Sequence, residues 1–307
     1  MMSSIPTSWE LASLVCKFLV YIGVASIAGG SYCLWQFSDH SKATLHRNLS
    51  YIFIGSLIGF QGVVANFLIQ IGLINDNGLV GMFDWGMGSL LLGVQLGAVT
   101  FYRLTGFVIV LLSCLFFFRR ITYSTRAPDQ NFYRVLIAIH FFALLVISSS
   151  FRLAGHVSVL SIVPQIGIVI HVTVFALWIG SLYPLYKMTE SRDMKFLQLC
   201  MKRFGDYAIG ILILLGISGL VMILELLESP SELFTSPYGR AFLSKLSLVV
   251  ILVSIAAANK LIFVPVIATE TDSRKLASSI RWEMLVASVI LLVTSYFSTI
   301  VGPAGPM

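Results

Sequence analysis

The chain has 307 residues, of which 57% are hydrophobic and 11% charged, and its mean hydropathy is +0.91. A soluble domain carries about 25% charged residues, so these proportions exclude one and point to a polytopic membrane protein. The net charge of +6 fits an uneven placing of Lys and Arg about a bilayer and does not argue for nucleic-acid binding.

Windows of about 20 apolar residues, enough to cross ~30 Å of hydrocarbon, predict eight spans. They fall near 11–36, 49–74, 98–118, 133–154, 161–186, 204–227, 240–264 and 282–302. The expected fold is all-α, a polytopic membrane helix bundle of about eight transmembrane helices. No basic segment precedes the first apolar run and Glu10 stands at its edge, so this run reads as a span rather than a signal peptide.

Residues 79–97, LVGMFDWGMGSLLLGVQLG, stand apart, because one helix from Gly86 to Phe118 would be about 50 Å long, too long for a single span. Their first part is expected to lie at the interface or to re-enter the membrane, with Phe83 and Trp85 at headgroup depth. Met82 and Met87 flank Asp84 there. Thioethers are soft ligands that select Cu(I), so this pair is a candidate for capturing copper. The chain divides into a membrane half at 1–130, holding spans one to three and this segment, and a second half at 131–307.

Basic residues set the orientation. Lys42, Arg47, Arg119, Arg120, Arg126, Arg134, Lys187, Arg192, Lys195, Lys202, Arg203, Lys260, Arg274, Lys275 and Arg281 are 15 of the 20 Lys and Arg, and all follow odd-numbered spans. Cytoplasmic loops collect such residues, which predicts that both termini face outward. Asp76, Asp84, Glu225, Glu228 and Glu232 lie in or beside the outward loops, where acidic groups raise the local concentration of cations.

The halves also echo one another. YIGVASIAGGSYCLWQ in span one parallels HVTVFALWIGSLYPLY in span five; RNLSYIFIGSLIGFQGVV parallels KRFGDYAIGILILLGISGLV; AVTFYRLTGFVIVLL parallels TSPYGRAFLSKLSLVVIL. Repeats of four spans share one orientation, which predicts two parallel four-helix repeats. Cys16, Cys33, Cys114 and Cys200 show no C-x-x-C spacing and read as packing residues.

Three histidines carry the sharpest chemical signal. His171 stands near the middle of span five, with no Asp, Glu, Lys or Arg between Val157 and Tyr186; His140 lies in span four and His156 in the short outward loop between them. An ionisable group in hydrocarbon is a functional-site candidate by default, and neutral imidazole binds copper, iron and zinc. Adjacent antiparallel helices could bring His140 and His171 to similar depth, with His156 above them. Separately satisfied histidines would give the same pattern.

The sequences AGHVS (154–158), IHVTVFALWIGSLYPL, RFGDYA, TSPYGRAFLSK and AANKLIFVPV, with Gly219 inside span six, resemble the copper resistance protein D (CopD) family of bacterial inner-membrane proteins over about 154–268. The resemblance implies copper transport across the bacterial cytoplasmic membrane, as uptake, and a periplasmic CopC-like copper-binding partner; it implies no enzyme activity. Carried over by position, the family's histidines fall on His171 and His156, its W-x-G motif on Trp178 and Gly180, and its Y-G-R turn on Tyr238, Gly239 and Arg240. Span one has no histidine matching His171, which puts a symmetric metal site in doubt. Arg240, Lys245 and Arg103 read as anchors that snorkel, and Asn259 and Pro265 as helix-end residues.

No Walker sequence or phosphorylatable aspartate motif is visible, which argues against ATP-driven pumping. Two alternatives come from other classes: a haem-binding membrane oxidoreductase with histidines on adjacent helices as iron ligands, and a membrane copper sensor or scaffold that moves no metal.

Overall fold

The structure is a computed structural model, which describes residues 6–39, 41–123, 128–226 and 231–301. Helices account for nearly all of them: α1 (Ser8–Phe37), α2 (Lys42–Asn75), α3 (Trp85–Leu92), α4 (Gln95–Tyr123), α5 (Gln130–Ser149), α6 (Ile162–Met188), α7 (Met194–Leu226), α8 (Glu232–Thr235), α9 (Pro237–Ala258) and α10 (Glu270–Tyr296). Eight of these segments are long and apolar enough to cross a membrane. The all-α bundle of eight spans expected from hydropathy is therefore the observed one.

Helix starts are written in the sequence. Thr7 and Glu10 close a capping box on α1, as Thr269 and Asp272 do on α10. The side chains of Ser41, Asp129 and Ser236 accept from the first turns of α2, α5 and α9, and Pro237 opens α9 where a missing N–H costs nothing. The break expected between Gly86 and Phe118 falls at Gly93–Val94, where α3 ends and α4 begins. Leu79, Val80, Phe83, Trp85 and Leu90, in and before α3, are exposed apolar side chains.

Helix α1 is the centre of the bundle, touching α2, α5, α6 and α10. Its middle is made of small residues, VASIAGGS, which let backbones approach where no hydrophobic force drives helices together. At the α1–α6 crossing a Cβ on Gly29 would fall on the backbone of Gly180 and Ser181, and one on Gly180 would fall on Ala25. Glycine is required at both places. The Tyr51 hydroxyl donates to the Gly180 carbonyl at 3.0 Å and its ring stacks on Tyr183.

The packing repeats along the chain. Helix α1 packs on α2, α2 on α4, α4 on α5 and α5 on α1; likewise α6 packs on α7, α9 on α10 and α10 on α6. The second set differs where α9 passes α7. There α9 runs into a π-helical turn, Asn259–Phe263, and contact with α7 is made by this turn and by Val264–Val266. All four cysteines are buried and unpaired, as packing residues.

Candidate functional site

His140 is fully buried in α5. Its Nδ1 lies 2.9 Å from the Ser31 hydroxyl of α1, and its Nε2 lies 3.2 Å from the Ser113 hydroxyl of α4, with Cys114 Sγ at 3.9 Å. Both ring nitrogens are engaged, so the imidazole ties three helices together with no lone pair left facing open space.

His171 is placed differently. It is partly buried on α6 and turned to α7, where Nδ1 lies 3.1 Å from the Ser218 hydroxyl. That hydroxyl donates to the Leu214 carbonyl at 2.6 Å, so it accepts from His171 and fixes the proton on Nδ1. The Leu215 carbonyl also stands within hydrogen-bonding reach of the ring, and Lys245 of α9 lies near it. Gly219 leaves room beside the ring, since a Cβ there would stand 3.5 Å from Cε1.

The two histidines do not meet. Thr173 of α6 donates to Ser148 of α5 at 3.0 Å, which sets the register of this antiparallel pair. His171 lies two residues to one side of that contact and His140 eight residues to the other, an offset of about 15 Å in depth at 1.5 Å per residue. Axial ligands of one haem iron must face each other across a single atom, so this register does not favour a haem between them.

Of the other candidates, the side chain of His156 lies outside the described residues, as do those of Tyr238 and Glu228. Met82 lies against α2, its Cγ 2.8 Å from where a Gly72 Cβ would stand, beside the Trp9 ring. Asp84 between the two methionines caps α3, accepting from the Met87 N–H at 3.0 Å. Among the described residues no cluster of three or more His, Cys, Asp or Glu is placed to hold a metal ion.

A further polar group lies on α10. Glu283 of α10 is 3% exposed. Its Oε1 accepts from Trp178 Nε1 at 3.1 Å and its Oε2 from Asn259 Nδ2 at 2.8 Å. All three residues line a pocket of about 270 Å³ between α6, α7, α9 and α10, whose remaining walls include Leu182, Met201, Phe204 and Val253. At its rim Lys260 donates to the Gly205 carbonyl at 2.8 Å and pairs with Asp206 at 2.6 Å. Asn259 is thus a ligand of the carboxylate as well as a helix-end residue, and Trp178 holds the same carboxylate from α6. The sequence signal for Glu283 is a single acid in the span expected at 282–302, standing beside Arg281 at its edge.

Residues 198–297 match the family model CopD, copper resistance protein D. The C-terminal third of the chain carries the CopD signature. No curated protein and no solved structure matches the chain. The CopD stretch lies further toward the C-terminus than the motifs had suggested: it takes in Ser218, Gly219, Asn259, Lys260 and Glu283, and leaves His156, His171, Trp178 and Gly180 before it. The pocket lies mostly within it, and His171 reaches it through Ser218. The family name associates the chain with copper resistance, in a bundle suited by its spans to a lipid bilayer.

Proposed function

We propose that this protein moves copper ions inward across a bacterial cytoplasmic membrane, as part of copper homeostasis or resistance. The observation that carries the reading is His171, an imidazole within a span, whose Nδ1 is anchored on Ser218 of the CopD stretch. A neutral imidazole with its far nitrogen fixed by a hydrogen bond is the form that ligates copper.

In this reading Met82 and Met87 collect the metal at the outward surface, His156 receives it, and His171 holds it within the membrane. His140 supports the bundle from the side, and both termini face the periplasm, where a CopC-like protein would deliver the ion. Copper is cargo here, and the protein is a carrier rather than an enzyme.

The test is cell-associated copper, measured by mass spectrometry in cells expressing the chain, its His171→Ala variant or an empty vector at matched protein levels. Accumulation above vector that disappears in His171→Ala supports the reading. Equal copper in all three cultures overturns it and shifts weight to a sensor that moves no metal.

A further inference from the structure

The pocket beside Glu283 stands apart from the histidine path and has its own chemistry. A carboxylate in such surroundings is costly unless charge or hydrogen bonds balance it. Trp178 and Asn259 supply two neutral donors. No basic side chain forms an ion pair with Glu283 among the described residues, and Lys260, the one cation lining the pocket, is directed to Asp206 and the Gly205 carbonyl. Among the described residues no other titratable group lines the pocket from α6, α7, α9 or α10.

A second observation points to an exchangeable ligand. The Oδ1 of Asn259, a residue only 8% exposed, is buried with no hydrogen-bond partner. A buried acceptor left unmade is costly, and such groups in native structures call for an explanation. Asn259 also begins the π-helical turn, a distortion that recurs at functional sites. The amide therefore presents its donor to the carboxylate and an idle acceptor beside it.

We propose that Glu283, with Asn259 and Trp178, is a proton-binding site that exchanges with water at the Lys260–Asp206 rim. When Glu283 is ionised, its two oxygens accept from both neighbours in the arrangement described above. Protonation transfers one proton from hydronium at the rim to Oε2 and leaves water behind. The Asn259 amide then turns over, so that Oδ1 accepts from the new O–H and Nδ2 faces the pocket. Trp178 keeps its bond to Oε1 in both states. One proton thus reverses the polarity that Asn259 shows to the cavity, and the idle acceptor of one state becomes the acceptor used in the other. The inference does not rest on the copper reading, because every group in it is present without metal.

The test is infrared difference spectroscopy between acidic and alkaline buffer on the full chain in metal-free liposomes. A C=O band of a buried protonated carboxyl should appear on acidification, shift in heavy water, and be missing from Glu283→Gln. Trp178→Phe keeps the carboxyl but removes a donor to its ionised form. A hydrogen bond to a charged group, worth about 1.5–3 kcal/mol, should on removal move the transition about one to two pH units to the alkaline side. This shift also tests the idea should Glu283→Gln fail to fold. The proposal is overturned if no such band changes with pH, if the band persists in a folded Glu283→Gln protein, or if the transition does not move in a folded Trp178→Phe protein. A transition that moves with sodium concentration also overturns it, since the site would then hold a metal cation.

Discussion

The two sets of four spans each place one polar side chain of the fourth helix against the first and third. In the first set this is His140, bonded to Ser31 of α1 and Ser113 of α4; in the second it is Glu283, bonded to Trp178 of α6 and Asn259 at the end of α9. The first is closed around, with both nitrogens engaged and the ring fully buried. The second opens on a cavity and leaves an amide oxygen idle. The same difference runs through the helices: half of the most apolar window of α1 is buried, whereas the share is 11% for the spans of α7 and α9. A shared arrangement has been filled with structure on one side and left with chemistry on the other.

The harshest way to break the comparison is at the joint between the sets. Gly29→Val and Gly180→Val each place atoms where the opposite backbone stands, and a backbone cannot rotate aside as a side chain can. Overpacking a core costs about 1–3 kcal/mol where side chains can yield, and more is expected here. Both variants should fail to give monodisperse protein on size exclusion in detergent, which would mark the α1–α6 crossing as the pivot of the whole bundle.

Exchanging the two polar centres sharpens the contrast. His140→Ala leaves a cavity and strips the partner from Ser31 and Ser113, which predicts a loss of about 2–4 kcal/mol. Glu283→Gln should cost about 1 kcal/mol or less. The new amide oxygen accepts from Trp178, and its NH₂ donates to Asn259 Oδ1 once that amide turns over. Thermal unfolding in one detergent decides between them. Equal losses would mean that Glu283 is as structural as His140.

The eight spans were legible because each is a local fact about some 20 residues, and the break before α4 because no single span could be that long. The small-residue run of α1 was also in plain view, although its partner Gly180 lies far along the chain. The site was legible only in part. His171 stood out as a polar residue in an apolar stretch, and its role as a partner of Ser218 needed the α6–α7 packing. The register between His140 and His171 could not be read from depth within each helix alone, since Thr173 and Ser148 set it. Glu283 was the least visible, because its partners stand 24 and 105 residues away and no local pattern joins them.

Ser218 tests whether the second set also tunes the histidine. Ser218→Ala removes the group that holds the Nδ1 proton, so the ring can turn and change tautomer. Loss of such a supporting bond typically lowers metal affinity about 10- to 100-fold, and the lower end is expected for a ring that is only partly buried. Copper titration of the purified protein should show the weakening with little change in unfolding temperature. An unchanged affinity would remove Ser218, and with it the CopD stretch, from the proposed copper site.

The mildest change touches the rim of the Glu283 pocket. Asp206→Asn removes one member of the pair with Lys260, whose side chains are 60% and 28% exposed, so water screens most of their attraction. Only a small stability loss is expected, fading as salt is added. Its value lies in what it separates. Lys260 keeps its bond to the Gly205 carbonyl, so the pocket should keep its shape while the rim loses a negative charge that attracts protons. Proton exchange at Glu283 should then slow with the unfolding temperature almost unmoved. A rate that stays the same would place the route to Glu283 elsewhere than between α7 and the π-helical turn.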